Sequence, residues 1–247
     1  MAHPNDPNHR KLQEDVEEYA RNLGYVHAKN PIYEGRADYQ TVELLKGQSN
    51  PTAMTIRGRS DRALIHAKSD SSFLLELKTT KKIGCYFTIE AYPLLGHIFD
   101  AVHSNVLCLY ACRDVDRKVD CGFWAHEPPR LVYLRIPPIW KNEQLKSSLI
   151  NGFVDDLRLL TLDNVEEKPS ENGSGDAYVT VALDVFDRLR RWTHLIDNAE
   201  DETNKLYEAA EKRANNVMST PTRRLYSGPP SKWPLTISVL ERRPAPN

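Results

Sequence analysis

The chain is short of several things that would have narrowed its class. Across 247 residues no stretch approaches the roughly 18 apolar residues that a membrane-spanning helix needs, so a membrane is not an expected partner. The opening MAHPNDPNHRKLQ lacks the apolar core of a signal peptide, which points to an intracellular protein, cytoplasmic or nucleoid/nuclear. There is no Cys-x-x-Cys. The four cysteines are Cys85, Cys108, Cys112 and Cys121, and two of them fall in the apolar run VLCLYAC, so buried thiols are expected rather than a zinc or iron–sulfur site. Net charge is only −1, which does not advertise a polyanionic partner. No internal repeat is visible.

What is present is ordinary for a globular domain with its own core, at 40% hydrophobic and 27% charged residues. The charge is unevenly spread. From Thr203 onward eight Lys or Arg face three Glu, so the C-terminal end is basic, which suits either contact with a phosphate backbone or a simply solvated tail.

The most informative stretch runs from Arg57 to Thr80 and reads as a β-hairpin. Ala63-Leu64-Ile65 and Phe73-Leu74-Leu75 are short apolar runs separated by the turn-rich Lys68-Ser69-Asp70-Ser71. Alternation along a strand puts Phe73, Leu75 and Leu77 on one face and Leu74, Glu76 and Lys78 on the other. The first set suits a core. The second holds an acid and an amine roughly 7 Å apart along the strand, two steps of about 3.3 Å. A tight turn near Lys68 and Ser69 places Asp61 opposite Glu76, and a slightly wider one places it opposite Lys78. Either way two carboxylates and a lysine converge beside a sheet. Two oxygen ligands completed by water form an open site for Mg²⁺, and an activated water beside an amine is hydrolytic equipment. The plainer alternative is a cross-strand ion pair on a solvated face.

Asp61 followed by Glu76-Leu77-Lys78 resembles the PD-(D/E)xK nuclease superfamily, which includes restriction-endonuclease-like and Holliday-junction-resolvase-like proteins. The resemblance extends over roughly 10–115, with Ser60 standing where many members have Pro before the Asp. It implies a restriction-endonuclease-like α/β fold, an αβββαβ core whose mixed sheet is flanked by helices, here with an α-helical C-terminal extension. It also implies Mg²⁺ (or Mn²⁺) held by Asp61, Glu76 and the Leu77 carbonyl, Lys78 assisting the attacking water, and nucleic acid, DNA by preference, as substrate. Members often bring a further acid from the first helix, and Glu14 is the best match among Glu14, Glu17 and Glu18. Arg57 and Arg59 before Asp61, with Lys81 and Lys82 after Lys78, are the expected nucleic-acid contacts. A second E-x-K, Glu166-Glu167-Lys168, sits among Asn, Pro, Ser and Gly with no apparent strand to mount it. The alternative function is a non-catalytic nucleic-acid-binding or assembly module on the same fold.

The remaining pattern divides the chain into a nuclease-like core at 9–136, a helical region at 139–215 and a proline-rich basic tail at 216–247. In the core, His9–Leu23 reads as a helix stopped by Gly24, Tyr25–Ala28 as a strand and Thr52–Arg57 as another, with a short apolar piece at Val42–Leu45. Cys85–Ile89, Val106–Cys112 and Leu131–Ile136 read as strands, and Glu90–Val102 as a helix with Pro93 in its first turn. The resemblance also implies a polar residue from that helix at the site, for which Glu90, Tyr92 and His97 are the candidates, with a core or helix-surface role the alternative for each. Arg113–Pro129 looks turn-rich. Glu143–Leu162, Tyr178–Ile196 and Asp201–Asn215 read as helices whose apolar faces could pack on the core or against a second copy in a homodimer.

Overall fold

A computed structural model describes residues 6–29, 60–69, 71–80, 86–129, 131–136, 165–167, 177–182 and 190–219. The segments Val42–Leu45, Thr52–Arg57 and Glu143–Leu162, and the tail beyond Ser219, lie outside the described residues.

Helix α1 (Pro7–Asn22) starts two residues before its apolar periodicity suggests, because Asp6 caps it. The Asn8 N–H donates to the Asp6 carboxylate at 3.1 Å, and proline supplies the preset φ of the first helical position. Leu12, Val16 and Ala20, four residues apart, form its buried stripe. Gly24, at φ 95°, makes the left-handed turn that ends the helix and leads into β1 (Tyr25–Lys29).

Strands β2 (Arg62–His66) and β3 (Ser72–Thr80) form the expected hairpin. The His66 N–H donates to the Ser71 carbonyl at 2.9 Å, and the His66 ring holds Ser69 and the Lys68 N–H. That short connection sets the register Arg62↔Leu75 and Leu64↔Phe73. Strand β4 (Tyr86–Glu90) runs directly into α2 (Ala91–Ser104), and β5 (Leu107–Asp114) returns parallel to β3, pairing Glu76 with Tyr110 and Lys78 with Cys112. The main sheet, in order β1-β2-β3-β5 and then β6 (Val119–Trp124), is therefore mixed, and α1, β1, β2, β3, α2 and β5 make up the expected αβββαβ core.

Two apolar layers cover its faces. Phe73, Leu75 and Leu77 pack with Leu107, Leu109 and the α1 stripe, while Cys108, Tyr110, Cys112 and Phe123 pack with α2 and a second sheet. Cys108, Cys112 and Cys121 are free and buried, as expected of structural thiols.

Three expectations need correction. Arg113–Pro129 is not all turn, because β6 pairs with β5 across a turn in which Asp114 accepts the Asp116 and Arg117 N–H groups. A strand broken by Asp and Gly carries little alternation to read. Tyr178–Ile196 is not one helix. Its Tyr-Val-Thr-Val-Ala start is β-branched and forms β9 (Tyr178–Ala182), and among the described residues of this span helix appears at α3 (Trp192–Asp197), followed by α4 (Ala199–Ser219). Finally, Val165–Glu167, holding part of the second E-x-K, is a short strand, β8. With β7 (Leu131–Ile136) these build the second sheet, ordered β4-β9-β7-β8, so strand pairing crosses the boundary expected near residue 138. The chain resolves into one compact unit at Met1–Leu206 and another at Tyr207–Asn247.

Gly122 in β6 is where α3 is seated. Its N–H donates to the Arg190 carbonyl at 2.9 Å, and a Cβ there would lie 2.8 Å from the Tyr110 carbonyl oxygen and 3.1 Å from the Trp192 Cβ. Gly122→Ala should therefore lower unfolding stability by about 1–3 kcal/mol, measured by urea denaturation, through overpacking rather than through loss of any contact.

Candidate active site

The register of the hairpin decides between the two placements of Asp61. Extended one pair beyond Arg62↔Leu75, it sets Asp61 opposite Glu76, and the Leu77 N–H donates to Asp61 Oδ2 at 2.8 Å. Asp61 thus continues the β2–β3 ladder with its side chain, which fixes one carboxylate oxygen at the C-terminal part of β3. Lys78 Nζ lies 2.6 Å from Glu76 Oε1, so acid and amine on the same face of β3 meet directly.

Both side chains are largely withdrawn from water, Glu76 at 8% and Lys78 at 16% exposure, which makes their charges expensive unless matched. Burial, reinforced by the Asp61 carboxylate, pushes Glu76 up to about 8 despite the adjacent ammonium. Burial opposes the Lys78 charge, but Glu76, Glu90 and Asp61 outweigh it and hold the amine protonated, well above the usual lysine range. Among the described residues the Lys78 amine thus lies in the field of Glu76, Glu90 and Asp61.

Glu90 arrives from an element the hairpin does not include. It ends β4 and stands at the N-cap of α2, close enough for its charge to act on both Glu76 and Lys78. The other two candidates from α2 serve the interior. His97 is buried and bonded to the Tyr110 hydroxyl at 2.9 Å, and Tyr92 packs at the edge of the core.

On α1 the acidic candidates are placed unequally. Glu14 is exposed on the face away from Leu12 and Val16, beside Lys11. Glu18 is exposed as well. Glu17 is engaged by Arg62 Nε at 3.0 Å and by Gln13, while Arg62 Nη1 donates to the Asp61 carbonyl at 2.7 Å. That bridge braces the backbone of Asp61 against the helix. The α1 residue that reaches the site is His9, in the first turn, whose electrostatic surroundings include Asp61, Lys78, Asp6 and Arg62. Burial lowers its ionisation and keeps it neutral, and its Nδ1 is buried without a hydrogen-bond partner. The signal for it was Asp6-Pro7, a cap and first-turn pair that sets the helix start early enough to place His9 inside. Arg57, Arg59, Lys81 and Lys82 lie outside the described residues.

The donor set suits a hard divalent cation. Asp61 Oδ1 and Glu76 Oε2 are not used by the bonds above, and the donors are all oxygen. Among the described residues no third His, Cys or carboxylate atom gathers with both acids within 4.8 Å, so water would complete the shell. The second E-x-K lacks such company: Glu166 and Glu167 on β8 pair with Arg135 and Ile136, with no acid across from them.

No protein-family model and no curated protein sequence matches the chain. Among solved structures, Hjc, a Holliday junction resolvase from the archaeal hyperthermophile Archaeoglobus fulgidus, is similar at a TM-score of 0.38 and 8% identity, over 76% of this chain and 98% of that one. No helix among the described residues is long and apolar enough to cross a membrane.

Proposed function

We propose that the chain is a metal-dependent nuclease that hydrolyses phosphodiester bonds, with DNA as its substrate. The observation that supports this reading best is the meeting of Asp61, Glu76 and Lys78 at one end of β3. Asp61 and Glu76 would hold Mg²⁺ or Mn²⁺, with the Leu77 carbonyl as a further donor. The cation would supply charge neutralisation at the scissile phosphate and acidify a water.

The remaining work falls to the protein's own groups. Lys78, held as an ammonium, cannot serve as the base in this state. Its part is to donate a hydrogen bond to the attacking water or to a phosphate oxygen and to steady the charge that develops there. Neutral His9 has a lone pair on one ring nitrogen and feels the charge of Asp61, and it would orient a water or accept its proton. Arg57, Arg59, Lys81 and Lys82, adjacent in sequence to the site, would contact the phosphate backbone.

The 2.6 Å contact between Lys78 and Glu76 is also what a plain ion-pair cluster would show, and it favours a second reading, a nucleic-acid-binding module without catalysis. Calorimetric titration with Mn²⁺ separates the two. A nuclease should bind at millimolar concentrations or below and lose that binding in Asp61→Asn, whereas absence of binding supports the module.

A further inference from the structure

Outside the active site, one group of three ligand-bearing side chains stands out among the described residues. His126 and Glu127 lie in the turn after β6, Glu202 lies in the first turn of α4, and one ligand atom from each falls within 4.8 Å of the others. His126 Nε2 is 3.2 Å from Glu202 Oε1, and both side chains are only 10% exposed.

The direct bond leaves this pair poorly satisfied. With the proton on Nε2, the contact to Glu202 is a hydrogen bond, and the His126 Nδ1 lone pair is buried without a donor. With the proton on Nδ1, that N–H is buried without an acceptor, and the Nε2 lone pair faces a carboxylate. A cation between Nε2 and Glu202 turns that lone-pair contact with a carboxylate into two coordinate bonds, while the Nδ1–H stays without an acceptor among the described residues. Two donors held about 2.0–2.1 Å from one ion at a tetrahedral angle lie roughly 3.3–3.4 Å apart, close to the separation found here. The countercharge otherwise available to the withdrawn Glu202 is Lys205, 3.1 Å away on a side chain that is 68% exposed.

We propose that His126, Glu127 and Glu202 form a second metal site, selective for Zn²⁺-class cations, that ties the turn after β6 to the start of α4. One imidazole nitrogen with two carboxylates is a mixed donor set preferred by Zn²⁺ and Co²⁺ over Mg²⁺, which favours oxygen alone. The two sites would thus be separable by choice of ion. Lys205 competes with the ion for Glu202, so it weakens binding rather than assisting it.

The test is titration of the full chain with Zn²⁺ in millimolar Mg²⁺, which occupies oxygen-only sites, with Co²⁺ absorption reporting coordination. One ion per chain is expected, bound at least tenfold more weakly by Glu202→Gln and His126→Gln, more tightly by Lys205→Met, and unchanged in Asp61→Ala. Zn²⁺ should raise the melting temperature of the wild type and not of Glu202→Gln. Should either substitution at His126 or Glu202 prevent folding, Lys205→Met and the exposed Glu127→Gln still decide, through opposite shifts in affinity. Failure of the wild type to bind Zn²⁺, binding indifferent to Glu202 and Lys205, or binding lost in Asp61→Ala would overturn the proposal.

Discussion

Replacing Lys78 with alanine should abolish phosphodiester cleavage while leaving metal affinity within a few-fold of wild type. The amine is not a ligand, and its removal takes away a positive charge held by Glu76, Glu90 and Asp61, which makes the site more attractive to a divalent ion. Asp61→Ala should lose both cleavage and metal binding, since it removes a ligand and part of the attraction. It should also cost about 1 kcal/mol of stability, because the Leu77 N–H loses its acceptor. Glu76→Ala should match Asp61→Ala in activity, and the repulsion with Asp61 that it relieves is offset by the loss of the ion pair with buried Lys78. Cleavage rates, metal calorimetry and urea denaturation on the three variants would check the pattern. Wild-type cleavage by Lys78→Ala, in a preparation free of contaminating nuclease, is the outcome that excludes the assignment.

Metal binding should also release protons and depend steeply on pH. Glu76 in the metal-free protein titrates at about 8, above its ordinary 4.5, so near neutrality an incoming cation must displace a proton from it. Apparent affinity should rise about tenfold per pH unit below that value and level off above it. The same shift sets the sign for stability. The folded state binds more protons than the unfolded state between 4.5 and about 8, so the metal-free protein should lose stability as pH rises through that window. Glu76→Gln should flatten both dependences. Calorimetry in buffers of different ionisation enthalpy reads the proton release, and denaturant midpoints across pH read the stability. A pH-independent affinity would show that Glu76 is not a ligand.

Much of this site was legible in the chain because it depends on local rules. Period-two alternation from Phe73 to Lys78 and a short polar turn are enough to bring Asp61 to Glu76, and the hairpin register follows the tighter of the two turns considered. What was hidden depends on contacts distant in sequence. Glu90 reaches Glu76 only because β4 leaves the main sheet and joins β9, about ninety residues further along, and no pattern near Glu90 encodes that pairing. His9, the first residue of the expected helix, moves into its first full turn because the Asp6 cap starts the helix two residues earlier. Tyr178–Ala182 shows the opposite failure, a short apolar segment whose β-branched composition outweighs the helical spacing read across its longer window.

The account rests most directly on cleavage itself. Purified full-length chain should be incubated with linear duplex, single-stranded and branched DNA, and with RNA, in Mn²⁺ or Mg²⁺ and separately in EDTA. The expected result is cleavage of at least one DNA substrate with either metal and none in EDTA. Cleavage that persists in EDTA, or no cleavage of any substrate by a chain shown to bind Mn²⁺ at Asp61 and Glu76, would contradict it.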